Sequence, residues 1–131
     1  MFLTKECDYA IRVVRGLADL QMRPVQALCE REHVPRPFAY KILKKLEQKG
    51  IVRAQRGNAG GYQLAKTLAD ITLFDVVEAV DDHLFLNECL QAEHVCPHNM
   101  NGIFCGVHHE LSRIQHILTN ALNEKRMSDL V

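Results

Sequence analysis

A chain of 131 residues, 47% hydrophobic and 24% charged, has room for one domain with an appended element around a modest core. Residues 1–20 are charged throughout rather than apolar, and no run nears the roughly 18 apolar residues of a membrane span. A secreted or membrane-spanning chain is therefore not expected, and the setting reads as cytoplasmic. Sixteen Lys/Arg balance sixteen Asp/Glu, but unevenly. Residues 36–66 hold eight basic groups against one acidic, while residues 67–131 hold three against ten. That asymmetry sets a polyanion-facing middle against a C-terminal part that avoids phosphate.

Thr4 can cap a first helix running to about Leu20, with Ala10, Val13, Val14 and Leu17 on its apolar face. Pro24 marks a break, and Val25 to His33 reads as a short second helix. Val34-Pro35-Arg36-Pro37 is a turn, because each proline disfavours helix in the residue before it. Pro37 then starts a third helix with Phe38, Ile42, Leu43 and Leu46 as its apolar stripe, closed by Gly50. Lys41, Lys44, Lys45 and Lys49 lie largely off that stripe, so this helix has one buried face and one basic face.

Ile51 to Gln55 reads as a strand, Arg56-Gly57-Asn58-Ala59-Gly60-Gly61 as a hairpin tip, and Tyr62-Gln63-Leu64 as the returning strand. No Gly-Lys-Ser/Thr and no helix start follows the glycines, so a phosphate-cradling P-loop is excluded. Thr72 with Asp75 resembles a capping box for a fourth helix, Leu73 to Val80. Residues 83–106 lack periodicity. A last helix from about Val107 to Leu122 carries Leu111, Ile114, Ile117, Leu118, Ala121 and Leu122, more apolar surface than so small a core needs.

The expected fold is mainly α with a small β-wing. A winged helix-turn-helix occupies 1–82, a cysteine-rich loop 83–106, and a dimerisation helix with its tail 107–131. Such a fold reads double-stranded DNA by placing the basic helix in the major groove and the wing on the flanking backbone or minor groove. Candidate contacts are Arg36, Tyr40, Lys41, Lys44 and Lys45 from the helix, and Arg53, Arg56, Gly57 and Gly60 from the wing. A homodimer on an inverted-repeat operator is the expected assembly. No catalytic triad or nucleotide loop suggests an enzyme.

Cys89, Cys96 and Cys105 share one irregular segment, and His108 follows on the first turn of the last helix. Three thiols and a histidine suit a soft metal or an iron–sulfur cluster. Their spacing is not that of a zinc finger, which needs ligand pairs two to four residues apart. From the residues alone an iron–sulfur cluster, bare redox thiols and zinc all stay open. Cys7 and Cys29 fall among apolar helical residues and are expected in the core.

Ile51-Val52, then Arg56-Gly57-x-x-Gly60-Gly61-Tyr62-x-Leu64-Ala65, then Ile71-Thr72-Leu73-x-Asp75-Val76-Val77-x-Ala79-Val80, resembles the Rrf-type winged-helix transcriptional regulators. These include the IscR- and NsrR-like iron–sulfur regulators. The opening Met1-x-Leu3-Thr4 with Asp8-Tyr9-Ala10 is similar to theirs as well. The resemblance implies a repressor that senses iron, redox state or nitric oxide. It also implies a cluster, two-iron two-sulfur in preference to four-iron four-sulfur, held by Cys89, Cys96 and Cys105. His108 would be the fourth ligand, with Asp8 of a partner subunit or His33 as alternatives. Some members lack a cluster, so the resemblance also admits a thiol- or partner-controlled regulator of the same fold.

Overall fold

The computed structural model describes residues 3–131, so Met1 of the N-terminal motif lies outside the described residues. The Thr4 hydroxyl accepts from the Cys7 N–H at 3.3 Å and opens α1, Lys5–Gly16. This helix ends about a turn earlier than its apolar spacing predicts. Leu17 N–H turns back to Val14 O, the Arg23 Nε donates to Gly16 O at 3.1 Å, and Leu20 takes a left-handed φ of 60°. Gly16 lies against α2, Val25–Glu32, so closely that a Cβ there would sit 2.6 Å from Leu28 Cδ1.

His33 ends α2 in the left-handed region, and α3 follows over Arg36–Gln48 with Pro37 in its first turn. Its buried residues are Ala39, Ile42, Leu43 and Leu46. Phe38 is not in the core as its helical spacing predicts. It stays 39% exposed, with its ring 5.3 Å from that of Tyr9 on α1. The inward position is filled by Ala39, whose small side chain lets α3 approach α1. Full burial of a residue such as Ile42 or Leu46 contributes about 1.5–3 kcal/mol, so these few side chains hold the basic helix against the bundle.

Strands β1, Val52–Gln55, and β2, Gly61–Leu64, pair antiparallel from Val52↔Leu64 to Gln55↔Gly61. Val52 and Leu64 anchor the base of this wing in the core. The sequence gives no sign of a third edge, yet Arg23 and Tyr62 exchange two backbone hydrogen bonds of 2.8 Å. Only glycine fits beside that bridge, because a Cβ on Gly61 would lie 2.0 Å from Arg23 O.

Helix α4, Leu73–Val80, carries the predicted capping box: Asp75 N–H donates to Thr72 Oγ1 at 3.0 Å and Thr72 N–H to Asp75 Oδ2 at 2.8 Å. An irregular segment with short 3-10 turns at Glu88–Leu90 and Pro97–Asn99 leads to α5, Gly106–Glu124. The chain then turns back on the bundle. Met127 N–H donates to Ile71 O at 2.8 Å and its side chain is buried. No residue of α5 is itself buried, and Ile117 is 52% exposed.

Candidate functional site

Helix α3 and the wing form one basic face. Arg36, Tyr40 and Lys44 on α3 are exposed, as are Arg53 and Arg56 on the wing. Lys44, Arg36, Arg53 and Arg56 have no ion-pair partner among the described residues. The wing tip depends on its glycines. Gly57 has φ +110° with open space around it, and a Cβ on Gly60 would lie 2.2 Å from Gln55 O. A bulkier residue at Gly60 would force the tip open and move Arg56.

The other two lysines are engaged within the chain. Lys41 Nζ donates to Glu6 Oε1, and Lys45 Nζ donates to Glu6 Oε2 at 3.1 Å and to Val80 O at 2.7 Å. The hydrogen bond from Lys41, with Lys45 adding to it, holds the Glu6 carboxyl below the usual glutamate range. Neither Glu6 nor the Val80 carbonyl stood out in the sequence. An acidic residue in a first helical turn reads as favourable to the helix dipole, and nothing local shows that it reaches across to α3.

In the segment between α4 and α5, Cys89 sits in one 3-10 turn, Cys96 precedes the next, and Cys105 precedes α5; all three are half-buried. Cys105 is the N-cap of α5, its Sγ accepting from the His108 N–H at 3.4 Å. His108 Nδ1 is buried with no hydrogen-bond partner, alone in this among the described residues. A buried ring nitrogen without a partner is costly, and a metal ion is one of the few groups that satisfies it.

The structure joins the Cys105 thiol to the His108 backbone but does not gather Cys89 and Cys96 with them into a ligand group. Among the described residues no group of three His, Cys, Asp or Glu side chains is arranged to hold a metal ion. The donor types fit a thiolate-ligated cluster, and the loop has to draw its thiols together to hold one. Asp8 accepts from Arg12 Nε on its own helix at 3.1 Å, while His33 lies exposed at the end of α2. Cys7 and Cys29 are buried in the core as expected, and burial pushes the Cys29 thiol up. The loop and helix start also expose Val95, Ile103, Val107 and Phe104, the last by 73%.

Two further side chains fix this region and were not foreseen. Gln115 on α5 accepts from Leu86 N–H and donates to Leu84 O, both at 2.9 Å, which ties the beginning of the loop to the helix. Asn123 meets the Thr72 hydroxyl at 3.2 Å, joining the end of α5 to the capping box of α4. No described helix is long and apolar enough to cross a membrane.

A family model, Rrf2, described as "Iron-dependent Transcriptional regulator", matches residues 3–131. The chain is 31% identical over 134 aligned residues to "Protein aau3" of Rhizobium meliloti (strain 1021), covering 100% of this chain and 85% of that protein. Among solved structures, T. potens IscR superposes with a TM-score of 0.74 at 18% identity, covering 98% of this chain and 84% of that one. CymR (YrzC), the global cysteine regulator of B. subtilis, superposes with a TM-score of 0.73 at 18% identity, covering 98% and 94%. The basic helix, the glycine-tipped wing and the long last helix are thus the parts of a known architecture. The chain belongs to the Rrf2 family of transcriptional regulators.

Proposed function

We propose that this regulator binds an inverted-repeat operator as a homodimer, and that an iron–sulfur cluster on the loop makes this binding respond to iron, redox state or nitric oxide. The working units are the winged helix-turn-helix of 1–82, the loop of 83–106 and the helix and tail of 107–131. Arg36, Tyr40, Lys41, Lys44 and Lys45 would lie on the major groove and its phosphates, with Arg53 and Arg56 carried to the flanking DNA by the turn at Gly57 and Gly60. The apolar stripe of α5, unburied in the single chain, supports pairing with a second copy.

The observation that carries the cofactor reading is the buried and unpartnered ring nitrogen of His108, one turn into the helix that the Cys105 thiol caps. Cys89, Cys96 and Cys105 would be the thiolate ligands, with His108 preferred over Asp8 or His33 as the fourth. Asp8 would first have to leave Arg12, and His33 lies in a backbone turn at the end of α2. When bound, a cluster with one nitrogen ligand would have a higher reduction potential than an all-thiolate one and would rest one iron on a ligand that protons can displace. Gln115 and Asn123 give the loop and α5 a fixed mechanical link to α4, through which a change in the loop would reach the reading heads.

A second reading keeps the DNA-binding role and makes the switch a bare thiol or a partner protein. It draws support from the fact that Cys89, Cys96 and Cys105 do not form a three-ligand group. The two readings separate in cysteine variants handled without air. Cys89→Ala, Cys96→Ala and Cys105→Ala should each remove visible absorption, while Cys7→Ala and Cys29→Ala keep it. Variants that all remain colourless like an uncoloured parent, yet still change DNA binding on thiol oxidation, would favour the second reading. Stoichiometric zinc on the same cysteines would overturn the redox role.

A further inference from the structure

We infer that Glu6 is a specificity-determining residue of the DNA-binding face, an internal anion that occupies Lys41 and Lys45 where a backbone phosphate would otherwise sit. The inference rests on the reading of α3 as the DNA-facing helix and adds a residue from outside that helix. Lys41 and Lys45 are one turn apart on α3, so their ammonium groups lie on one side of the helix. The Glu6 carboxylate spans them, one oxygen to each. Two ammonium groups on one two-oxygen anion is also the arrangement by which lysines hold a phosphate.

Glu6 is well placed to keep that position. Its side chain is only 22% exposed, and it projects from the first turn of α1, where the helix dipole also favours a carboxylate. Lys45 is further held by the Val80 carbonyl at the end of α4. The pocket around them contains Asp81, Asp82, Lys5 and His83. A passing duplex of arbitrary sequence therefore meets two lysines already engaged by an internal carboxylate, with one of their two positive charges offset. It gains little counterion release from them unless something else holds it long enough for Glu6 to be displaced. Contacts that depend on sequence, from Tyr40, Lys44 and the wing, can supply that hold. Glu6 in this way suppresses non-specific binding more than specific binding.

The test uses the full-length protein, a mixed-sequence duplex, and a duplex enriched from a random pool by the wild-type protein. Glu6→Gln keeps the size of the side chain, leaves one acceptor oxygen where the carboxylate offers two, and removes its charge. It should tighten binding to the mixed duplex several-fold, and the plot of log affinity against log salt should steepen by about 0.9 for each lysine released to phosphate. Affinity for the enriched duplex should rise less, so the ratio between the two falls. Glu110→Gln makes the same charge change on α5, where Glu110 pairs with Arg113 rather than with a lysine of α3, and should leave slope and ratio unchanged. Lys41→Gln in the Glu6→Gln background should return about half of the added slope. An effect of Glu6→Gln no larger than that of Glu110→Gln would overturn the inference. So would weaker binding by Glu6→Gln at unchanged slope, which would make Glu6 a support for α3. A wild-type protein that binds neither duplex would instead overturn the assignment of α3 as the reading helix.

Discussion

Replacing Gly61 with alanine should disturb the wing more than its single methyl group suggests. The new Cβ would lie 2.0 Å from Arg23 O, 2.4 Å from Arg23 C and 2.8 Å from Pro24 N, all backbone atoms that cannot swing aside. The Arg23–Tyr62 bridge must open, losing two hydrogen bonds of 2.8 Å, each contributing about 0.5–1.5 kcal/mol. Gly61 also has φ +147°, and a side chain there adds strain of roughly 1–3 kcal/mol. Together the destabilisation comes to about 4 kcal/mol, which for a chain of this size lowers Tm by roughly 12–20 °C. The assay is thermal melting by circular dichroism beside a DNA titration, in which Arg53 and Arg56 should lose their placement and affinity should fall. Gly57→Ala is the control, since its Cβ meets open space and only the backbone cost of φ +110° applies. If Gly61→Ala melts within a degree or two of the wild type and binds DNA equally well, the Arg23 edge does not hold the wing.

Three other outcomes are expected. Arg56→Ala should weaken binding to the enriched duplex by about 1–3 kcal/mol with Tm unchanged; an equal loss of thermal stability would make Arg56 structural. Asp at both Ile114 and Ile117 would place unpaired charges in the proposed seam of α5, and sedimentation should show a dimer become a monomer. A wild-type protein that sediments as a monomer at micromolar concentration would refute that seam. In the metal-free protein, Cys29 should alkylate far more slowly than Cys89, Cys96 and Cys105 when mapped by mass spectrometry, because burial raises its thiol pKa. Equal rates would mean that the α2 core opens easily.

Much of the fold was legible because its signals are local. The Thr4 and Thr72 caps, the prolines before α3, Gly50 and the wing glycines each act within a few residues, and all appear where the sequence puts them. Long-range features were not legible. The early end of α1 depends on Arg23 reaching Gly16 O, and the third edge of the wing on Arg23 meeting Tyr62. Phe38 fits a helical stripe as well as Ala39 does, and only the closeness of α1 decides between them. On the basic helix the sequence displayed a row of lysines but hid the partner that two of them share, Glu6, 35 and 39 residues away. In the loop it displayed the donors, whereas the unpartnered state of His108 Nδ1 arises from packing that no spacing encodes.

The central claim is that Cys89, Cys96 and Cys105, completed by His108, hold an iron–sulfur cluster. Its most direct test is the iron and acid-labile sulfide content of protein isolated without air, read with the visible spectrum of the same sample. The account predicts a coloured protein with iron and sulfide in about equal amounts, both lost together with the colour in Cys105→Ala. Protein that carries zinc in place of iron, or neither iron nor sulfide after anaerobic reconstitution, would contradict it.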